Sequence, residues 1–204
     1  MAKLRKFAAY RSLERPYTRK SKYKNKQYVR AFPQIKIVRF EQGDIKKEYP
    51  YRITLVAKDS LQIRQEALES VRITVNRHLE RNLGKNQFYF KFRVYPFHVL
   101  RENPLAAGAG ADRMSTGMKK SFGKPIGIAC QVKTGKVVME AFVPKGKMIK
   151  GKEALSKAAK KLPGGWKVVV EDFKGKIGGP KHPAKVPVEK VPAKKPSEKT
   201  PVSA

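Results

Sequence analysis

The stretch Phe88-Tyr89-Phe90-Lys91-Phe92-Arg93-Val94-Tyr95 decides the class of fold, because two kinds of side chain alternate strictly along it. The apolar members occupy every second position: Phe88, Phe90, Phe92 and Val94. The intervening positions hold Tyr89, Lys91, Arg93 and Tyr95. A period of two is the pattern of a β-strand that buries one of its faces. The sequence therefore predicts a half-buried strand here, with the apolar face in the core.

A long amphipathic helix is predicted upstream of this strand, where the apolar period changes. Apolar residues recur there at spacings of seven, three, four and four: Leu61, Leu68, Val71, Val75 and Leu79. That spacing places them on one face of an α-helix. Asp59 or Ser60 is the candidate N-cap, and Gly84 stands where a helix would end.

Shorter apolar runs predict the remaining elements. Strands are expected at residues 35–40, 51–57 and 166–170, since these runs are rich in β-branched and aromatic residues. Residues 126–132 and 137–143 are separated by a short connection that contains Gly135, which favours a β-hairpin. A second helix is predicted over residues 152–162, ended by Pro163-Gly164-Gly165.

Charge determines the class of partner. The 204 residues include 47 Lys and Arg against 16 Asp and Glu, a formal net charge of +31. Like charges disfavour a compact state, and an anionic partner removes that cost. Nucleic acid is the strongest candidate, because its phosphates attract cations and release counterions when they are neutralised. On the strand at residues 88–95, the Tyr/Lys/Arg face is then the candidate for RNA contact.

Composition divides the chain into three parts. Residues 1–32 form a basic arm, and the first 30 hold eleven Lys or Arg, one acid (Glu14) and interleaved tyrosines, which suits RNA better than an idle tail. Residues 33–173 are predicted to form a globular domain. Residues 174–204 contain six of the fourteen prolines, many lysines and few large apolar groups, so we expect a disordered tail.

A long connection at residues 101–125 separates the aromatic strand from the predicted hairpin. Connections longer than about 12–15 residues without periodicity tend to be functional or disordered. Its first half is rich in Gly and Ala, and its second half carries Arg113, Lys119, Lys120 and Lys124 around two glycines. Neither nucleotide-binding motif is present: Arg113 replaces the third glycine of G-x-G-x-x-G, and no Gly-Lys pair precedes Ser or Thr.

Catalytic and metal-binding constellations are missing from the sequence. The histidines, His78, His98 and His182, fit no metal-ligand spacing, and the four aspartates are scattered. The single cysteine, Cys130, lies in an apolar run and is predicted to be a small buried residue. No stretch approaches the ~18 apolar residues of a membrane helix, and the start lacks a secretory signal. We expect a cytoplasmic protein with no enzyme activity, cofactor, metal or membrane partner.

The loop also carries a resemblance to a known family. Ala111-Asp112-Arg113, followed after three residues by Gly117-Met118-Lys119-Lys120-Ser121-Phe122-Gly123-Lys124-Pro125, resembles the signature of the ribosomal protein L-ten-e family, the archaeal and eukaryotic counterpart of bacterial L-sixteen. Two further stretches are similar and stand in the same order: Arg15-Pro16-Tyr17-Thr18-Arg19, and residues 93–103 leading into the loop. The resemblance covers residues 5 to 172.

The resemblance implies an α+β fold, with an antiparallel sheet and two helices of the α/β-hammerhead type. It implies a structural protein of the large ribosomal subunit that binds ribosomal RNA, contacts other ribosomal proteins and forms no homo-oligomer. The loop at residues 101–125 would point toward tRNA and the peptidyl-transferase centre. The candidate RNA-binding residues are Arg15, Tyr17, Thr18, Arg19, Lys20, Arg64, Arg77, Arg101, Arg113, Lys119, Lys120 and Lys124.

Three alternatives stay open at this point. The cationic face of the first helix, with Arg64, Arg77 and Arg81, suits RNA contact and equally suits ion pairs with Glu66, Glu69 and Glu80. A general nucleic-acid packaging protein would have a similar composition, and would show no preference for folded ribosomal RNA over duplex DNA. An RNA-modifying enzyme would need a cofactor or metal site, which the sequence does not show.

Overall fold

Eight strands form two antiparallel sheets, and two α-helices accompany them, in the part of the chain that the structure describes. The structure is a computed structural model and describes residues 5–18, 22–27, 29, 31–103 and 123–173. Two short 3-10 helices, Phe7–Ala9 and Lys24–Lys26, precede the strands. The other elements, in chain order, are β1 Glu41–Gly43, β2 Tyr51–Ala57, β3 Leu61–Arg64, α1 Gln65–Leu83, β4 Tyr89–Phe92, β5 His98–Glu102, β6 Lys124–Val132, β7 Val137–Val143, α2 Met148–Ala159 and β8 Trp166–Asp172.

The larger sheet has the strand order β1-β4-β7-β2-β8, and the smaller has the order β3-β6-β5. Neighbouring strands in both sheets are antiparallel. The α+β class with antiparallel pairing and two helices is therefore confirmed. The strands predicted at residues 51–57 and 166–170 are also present, and the second extends to Asp172.

The predicted hairpin between residues 126–132 and 137–143 is wrong. Both runs are strands, but β6 pairs with β3 and β5, whereas β7 pairs with β2 and β4. At the connection, the N–H of Gly135 donates to the carbonyl oxygen of Ala57 at 2.8 Å, which ties the turn to the end of β2. The chain thus passes from the small sheet to the large one. Two neighbouring apolar runs indicate strands without indicating which strands they pair with.

The aromatic strand fills the core on the face that its period predicts. Phe88, Phe90, Phe92 and Val94 are all at most 2% exposed, and they pack with the apolar face of α1. The opposite face differs from the prediction at Tyr89, which is also buried. Tyr89 packs in a second cluster with Tyr49 and Phe142 on the other side of the sheet. Cys130 is buried, as predicted.

The strand predicted at residues 35–40 is wrong, because this segment lies along α1 instead of joining a sheet. The N–H of Lys36 donates to Gln65 Oε1 at 2.9 Å, and the N–H of Val38 donates to Glu69 Oε2 at 3.3 Å. Side chains of α1 therefore satisfy the backbone donors that a neighbouring strand would otherwise take. The first strand of the sheet begins only at Glu41.

The long helix begins later than predicted. Leu61–Arg64 forms β3, so α1 starts at Gln65, with Arg64 as the N-cap and no side-chain capping bond. Asp59 has a different role: its Oδ2 accepts a hydrogen bond from the N–H of Gly165 at 2.9 Å. Gly84 has a φ of 98° and follows the last residue of α1, so the predicted end of the helix is confirmed.

Candidate nucleic-acid interface

Part of the basic arm lies against the small sheet, where glutamine side chains hold its backbone. The Nε2 of Gln62 in β3 donates to the carbonyl oxygen of Ser12. The Nε2 of Gln131 in β6 donates to the carbonyl oxygen of Glu14 at 2.9 Å. These two hydrogen bonds attach the backbone of the arm to the small sheet. The sequence does not single out these glutamines, because nothing local to them shows that a distant segment needs donors.

Tyr17 attaches the next part of the arm to β5. Its carbonyl oxygen accepts a hydrogen bond from the N–H of Val99 at 3.1 Å, and its own N–H donates to Nδ1 of His98 at 2.8 Å. His98 is 6% exposed, and burial lowers the pKa of its imidazole. A neutral ring suits this site, because only unprotonated Nδ1 accepts a hydrogen bond.

Several cations converge beside this attachment. The guanidinium of Arg101 lies 4.3 Å from the centre of the Tyr17 ring, a cation–π contact. Arg64 donates from Nη1 to the carbonyl oxygen of Arg5 at 3.0 Å, and Arg5 Nε pairs with Glu102 at 3.0 Å. Arg5 thus bridges β3 and β5 across the small sheet, and its own side chain is 65% exposed. The sequence contains Arg5 in the basic run of the arm but does not distinguish it from its neighbours.

The loop that the sequence singles out leaves and rejoins the small sheet beside these cations. Glu102 at the end of β5 is opposite Lys124 at the start of β6. A cavity of about 240 Å³ lies at the same end. It is lined mostly by polar side chains, among them Tyr10, Glu14, Gln62, His98, Arg101 and Asn103. We name the surface formed by Arg5, Arg15, Tyr17, Arg64, Arg101 and Lys124 the arm surface.

The candidate residues therefore have different positions. Arg15, Thr18 and Lys124 are exposed, while Tyr17, Arg64 and Arg101 are partly buried in the arm surface. Arg77 is exposed on α1 and, among the described residues, makes no hydrogen bond or ion pair with that surface. Arg19, Lys20, Arg113, Lys119 and Lys120 lie outside the described residues, as does the tail at residues 174–204.

Ion pairs engage much of the remaining charge near α1 and β4. Glu69 pairs with Arg72 at 2.7 Å, and this arginine holds the pKa of the Glu69 carboxyl below its usual range. Glu66 pairs with Lys36 at 3.2 Å. The ion-pair interpretation thus holds for two of the three glutamates, but with partners other than the arginines considered from the sequence. On β4, Lys91 pairs with Glu41, which leaves it less available to RNA than its alternating position suggested.

The described residues show no cluster of three or more His, Cys, Asp or Glu that could hold a metal ion. In the same part of the chain, no helix is long and apolar enough to cross a membrane.

The chain is similar to one known protein family and to several of its members. The model of the family described as Ribosomal protein L16p/L10e matches residues 14–169. The large ribosomal subunit protein uL16 of Archaeoglobus fulgidus is 42% identical over 172 residues, which cover 82% of this chain and 95% of the relative. The protein of the same name from Staphylothermus marinus is 45% identical over 159 residues, covering 78% of this chain and 88% of the relative. That of Methanocella arvoryzae is 44% identical over 149 residues, covering 73% and 87%.

Proposed function

Because this chain belongs to the ribosomal protein L16p/L10e family, we propose that it binds large-subunit ribosomal RNA through the arm surface. Membership also makes it a ribosomal protein and not an enzyme, which confirms the expectation from the sequence. Its relatives are named as proteins of the large ribosomal subunit. We therefore propose that this chain acts in the cytoplasmic ribosome, in contact with RNA and other ribosomal proteins. We propose that it acts there without forming a homo-oligomer.

The observation that carries the RNA-binding proposal is the attachment of the arm. A segment with this charge is held on the small sheet by hydrogen bonds to its backbone carbonyls, from the Gln131 side chain and from the N–H of Val99, which brings its cations near those of β3, β5 and β6. Cations fixed in advance on a rigid element lose less conformational entropy when they meet phosphates. The stacked Arg101 and Tyr17 pair adds a guanidinium whose orientation is set before RNA arrives.

Replacing Arg15 and Lys124 together by Ala is expected to weaken binding to protein-free large-subunit ribosomal RNA. The slope of log K against log salt concentration is negative, and each lost phosphate contact makes it shallower by about 0.7–0.9. The slope of the double variant should therefore be shallower by about 1.4–1.8. Filter binding or fluorescence anisotropy over a salt series measures it. Both side chains are exposed, so the free energy of unfolding should change little.

The matched control removes the same charge elsewhere. Lys152 and Lys160 are exposed on and just after α2, and replacing both by Ala should leave the salt slope close to the parent value. If the salt slope changes by the same amount in both double variants, net charge alone drives binding. A parent protein that prefers duplex DNA would point to the packaging alternative instead.

The loop at residues 101–125 is the proposed route to the tRNA-binding and peptidyl-transferase region. This part of the proposal rests on the sequence signature and on the position of the loop ends beside the arm surface. Replacing Arg113, Lys119 and Lys120 together by Ala should leave the fold intact, since no residue of the described core changes. Peptide synthesis by reconstituted subunits should fall by more than incorporation of the protein into subunits. Unchanged synthesis with this variant would count against a functional loop.

A further inference from the structure

Three aromatic side chains contact one another in a row at the surface beyond the end of β4. The ring centres of Phe40 and Tyr95 are 4.9 Å apart, and those of Tyr95 and Phe97 are 5.9 Å apart. The ring planes differ by 50° in the first pair and by 35° in the second, so both contacts are tilted. We name Phe40, Tyr95 and Phe97 the aromatic ladder. It is separate from the arm surface, since none of its residues belongs to the arm or to the small sheet.

The backbone holds the ladder in place before any partner arrives. Residues 93–97 continue the alternation of the aromatic strand, with Val94 and Pro96 buried and Tyr95 and Phe97 exposed on the other side. The N–H of Phe97 donates to the carbonyl oxygen of Tyr95 at 3.1 Å, across a proline whose φ is fixed. Phe40 is anchored in turn, because its carbonyl oxygen accepts a hydrogen bond from the N–H of Phe92 at 2.9 Å. These bonds therefore fix the backbone from which the three rings project.

The ladder exposes more apolar surface than the core of the protein requires. Tyr95 is 40% exposed and Phe97 is 61% exposed. A single exposed apolar side chain is ordinary, whereas neighbouring exposed rings offer a surface on which flat bases can stack. With side chains of ~200 Å² each, the ladder presents about 250 Å². A stable protein interface needs about 800 Å² from each partner, so the ladder alone is too small for one.

The charges beside the ladder favour an anionic partner. Arg39 is exposed next to Phe40, and Arg93 is exposed on the same side as Tyr95. The other charges nearby are paired: Glu140 pairs with Arg93 at 2.7 Å and Glu41 pairs with Lys91, so among the described residues Arg39 is the cation beside the ladder without an ion pair. Aromatic rings with a guanidinium group beside them are the combination that binds unpaired nucleotides, whose bases stack and whose phosphates attract cations.

We propose that the aromatic ladder binds unpaired bases of RNA by stacking, as a second RNA contact that acts separately from the arm surface. This inference rests on the proposed function, because it takes RNA as the partner. Phe97 is the outermost ring and supplies the open stacking face, while Tyr95 and Phe40 support it from behind. Arg39, exposed beside Phe40, is the cation available to the phosphates of the stacked nucleotides, since Arg93 is paired with Glu140.

Two substitutions at Phe97 test the proposal with the full-length chain. Phe97→Leu keeps an apolar side chain but removes the stacking face, and Phe97→Trp enlarges that face. The probes are a 12-nucleotide single-stranded RNA and an abasic oligonucleotide of the same length and charge. Since stacking on an aromatic ring is worth ~1–3 kcal/mol per base, Phe97→Leu should weaken binding of the base-bearing RNA by about fivefold or more. Phe97→Trp should bind at least as well as the parent.

The abasic oligonucleotide and a distant substitution supply the controls. Phe97→Leu should bind the abasic probe as the parent does, because only the backbone contacts remain. Ile149→Ala changes a side chain that is equally exposed, at 65%, on α2, and should leave both affinities unchanged. Thermal unfolding of Phe97→Leu should match the parent, since the ring is mostly outside the core.

The outcomes separate this inference from the proposed function. Equal loss of both probes in Phe97→Leu, or no loss of either, would overturn the stacking role; the second result would point to a protein as the occupant of the ladder. The Arg15 and Lys124 double variant should lose affinity for both probes. If that variant binds both probes and large-subunit ribosomal RNA normally while Phe97→Leu loses only the base-bearing RNA, the arm surface is refuted and the ladder stands. A parent chain that binds large-subunit ribosomal RNA but neither probe refutes the ladder alone.

Discussion

Replacing Glu140 by Gln is expected to lower the free energy of unfolding by about 3 kcal/mol or more, because it breaks a buried network of charges. The Glu140 side chain is 2% exposed and lies between two arginines. Its Oε1 is 2.5 Å from Arg52 and its Oε2 is 2.7 Å from Arg93, and Arg52 also pairs with Glu171 at 3.1 Å. The network runs across the large sheet, from the residue after β4 through β7 and β2 to β8.

The expected effect is large because neither arginine can recover full hydration. Arg52 is only 17% exposed, so removal of the carboxylate leaves a mostly buried guanidinium with one remaining acidic partner. Arg93 loses the carboxylate that raises the pKa of its guanidinium. Gln has nearly the volume of Glu, so the loss reports charge and not a cavity. Urea unfolding of the full chain, followed by circular dichroism, gives the free energy.

A matched control for Glu140 is an exposed ion pair. Glu66 pairs with Lys36 at 3.2 Å, and the two side chains are 33% and 61% exposed. Glu66→Gln should cost less than about 1 kcal/mol, since exposed pairs are screened by water and salt. Equal losses in the two variants would show that burial does not govern the network.

Replacing Gly43 by Ala is the second change for which we expect a large effect, about 3 kcal/mol or more. Gly43 has a φ of 91°, which L side chains rarely adopt, and a Cβ there would lie 1.9 Å from the carbonyl oxygen of Phe88. That carbonyl belongs to the backbone and also accepts a hydrogen bond from the N–H of Asp44 at 3.0 Å. Backbone strain and steric overlap add, so β1 should separate from β4.

Gly146 separates the two causes of that loss. It has a φ of 82°, similar to that of Gly43, but a Cβ there meets nothing within 4 Å. Gly146→Ala should therefore cost only the backbone strain, about 1 kcal/mol. Urea unfolding measures both variants, and hydrogen exchange at the amide of Asp44 reports on β1 directly. Similar losses at the two glycines would contradict the steric argument.

Local sequence patterns predicted which helices and strands exist better than they predicted where each begins and ends. The period of two at residues 88–94 predicts burial correctly at each apolar position, because a strand directs alternate side chains to one face. The same reasoning fails at Leu61, whose apolar character fits the helical period but serves β3. It also fails at residues 35–40, where β-branched residues indicate an extended backbone without indicating whether a strand or a helix lies beside it.

The candidate site was predictable by its charge and not by its geometry. The basic arm and the loop stand out in composition, and the structure places Arg101 over the Tyr17 ring and Lys124 opposite Glu102, the partner of Arg5. What attaches the arm could not be predicted, because His98, Gln62 and Gln131 act on residues at least 50 positions away. The bounds of the arm, domain and tail remain predictions, as do the roles of the loop residues outside the described part.

The sequence by itself determined the α+β class, the buried face of the aromatic strand, the net charge of +31 and the resemblance to a ribosomal family. The buried face and the net charge follow from local periodicity and composition, and the α+β class follows from the family resemblance. Only the tertiary structure decided that β6 and β7 belong to different sheets, that Glu140 joins Arg52 to Arg93, and that Phe40 meets Tyr95. Such pairings depend on which groups, distant in the sequence, are brought together and buried by the fold. A local period records whether a side chain is buried and does not record its partner.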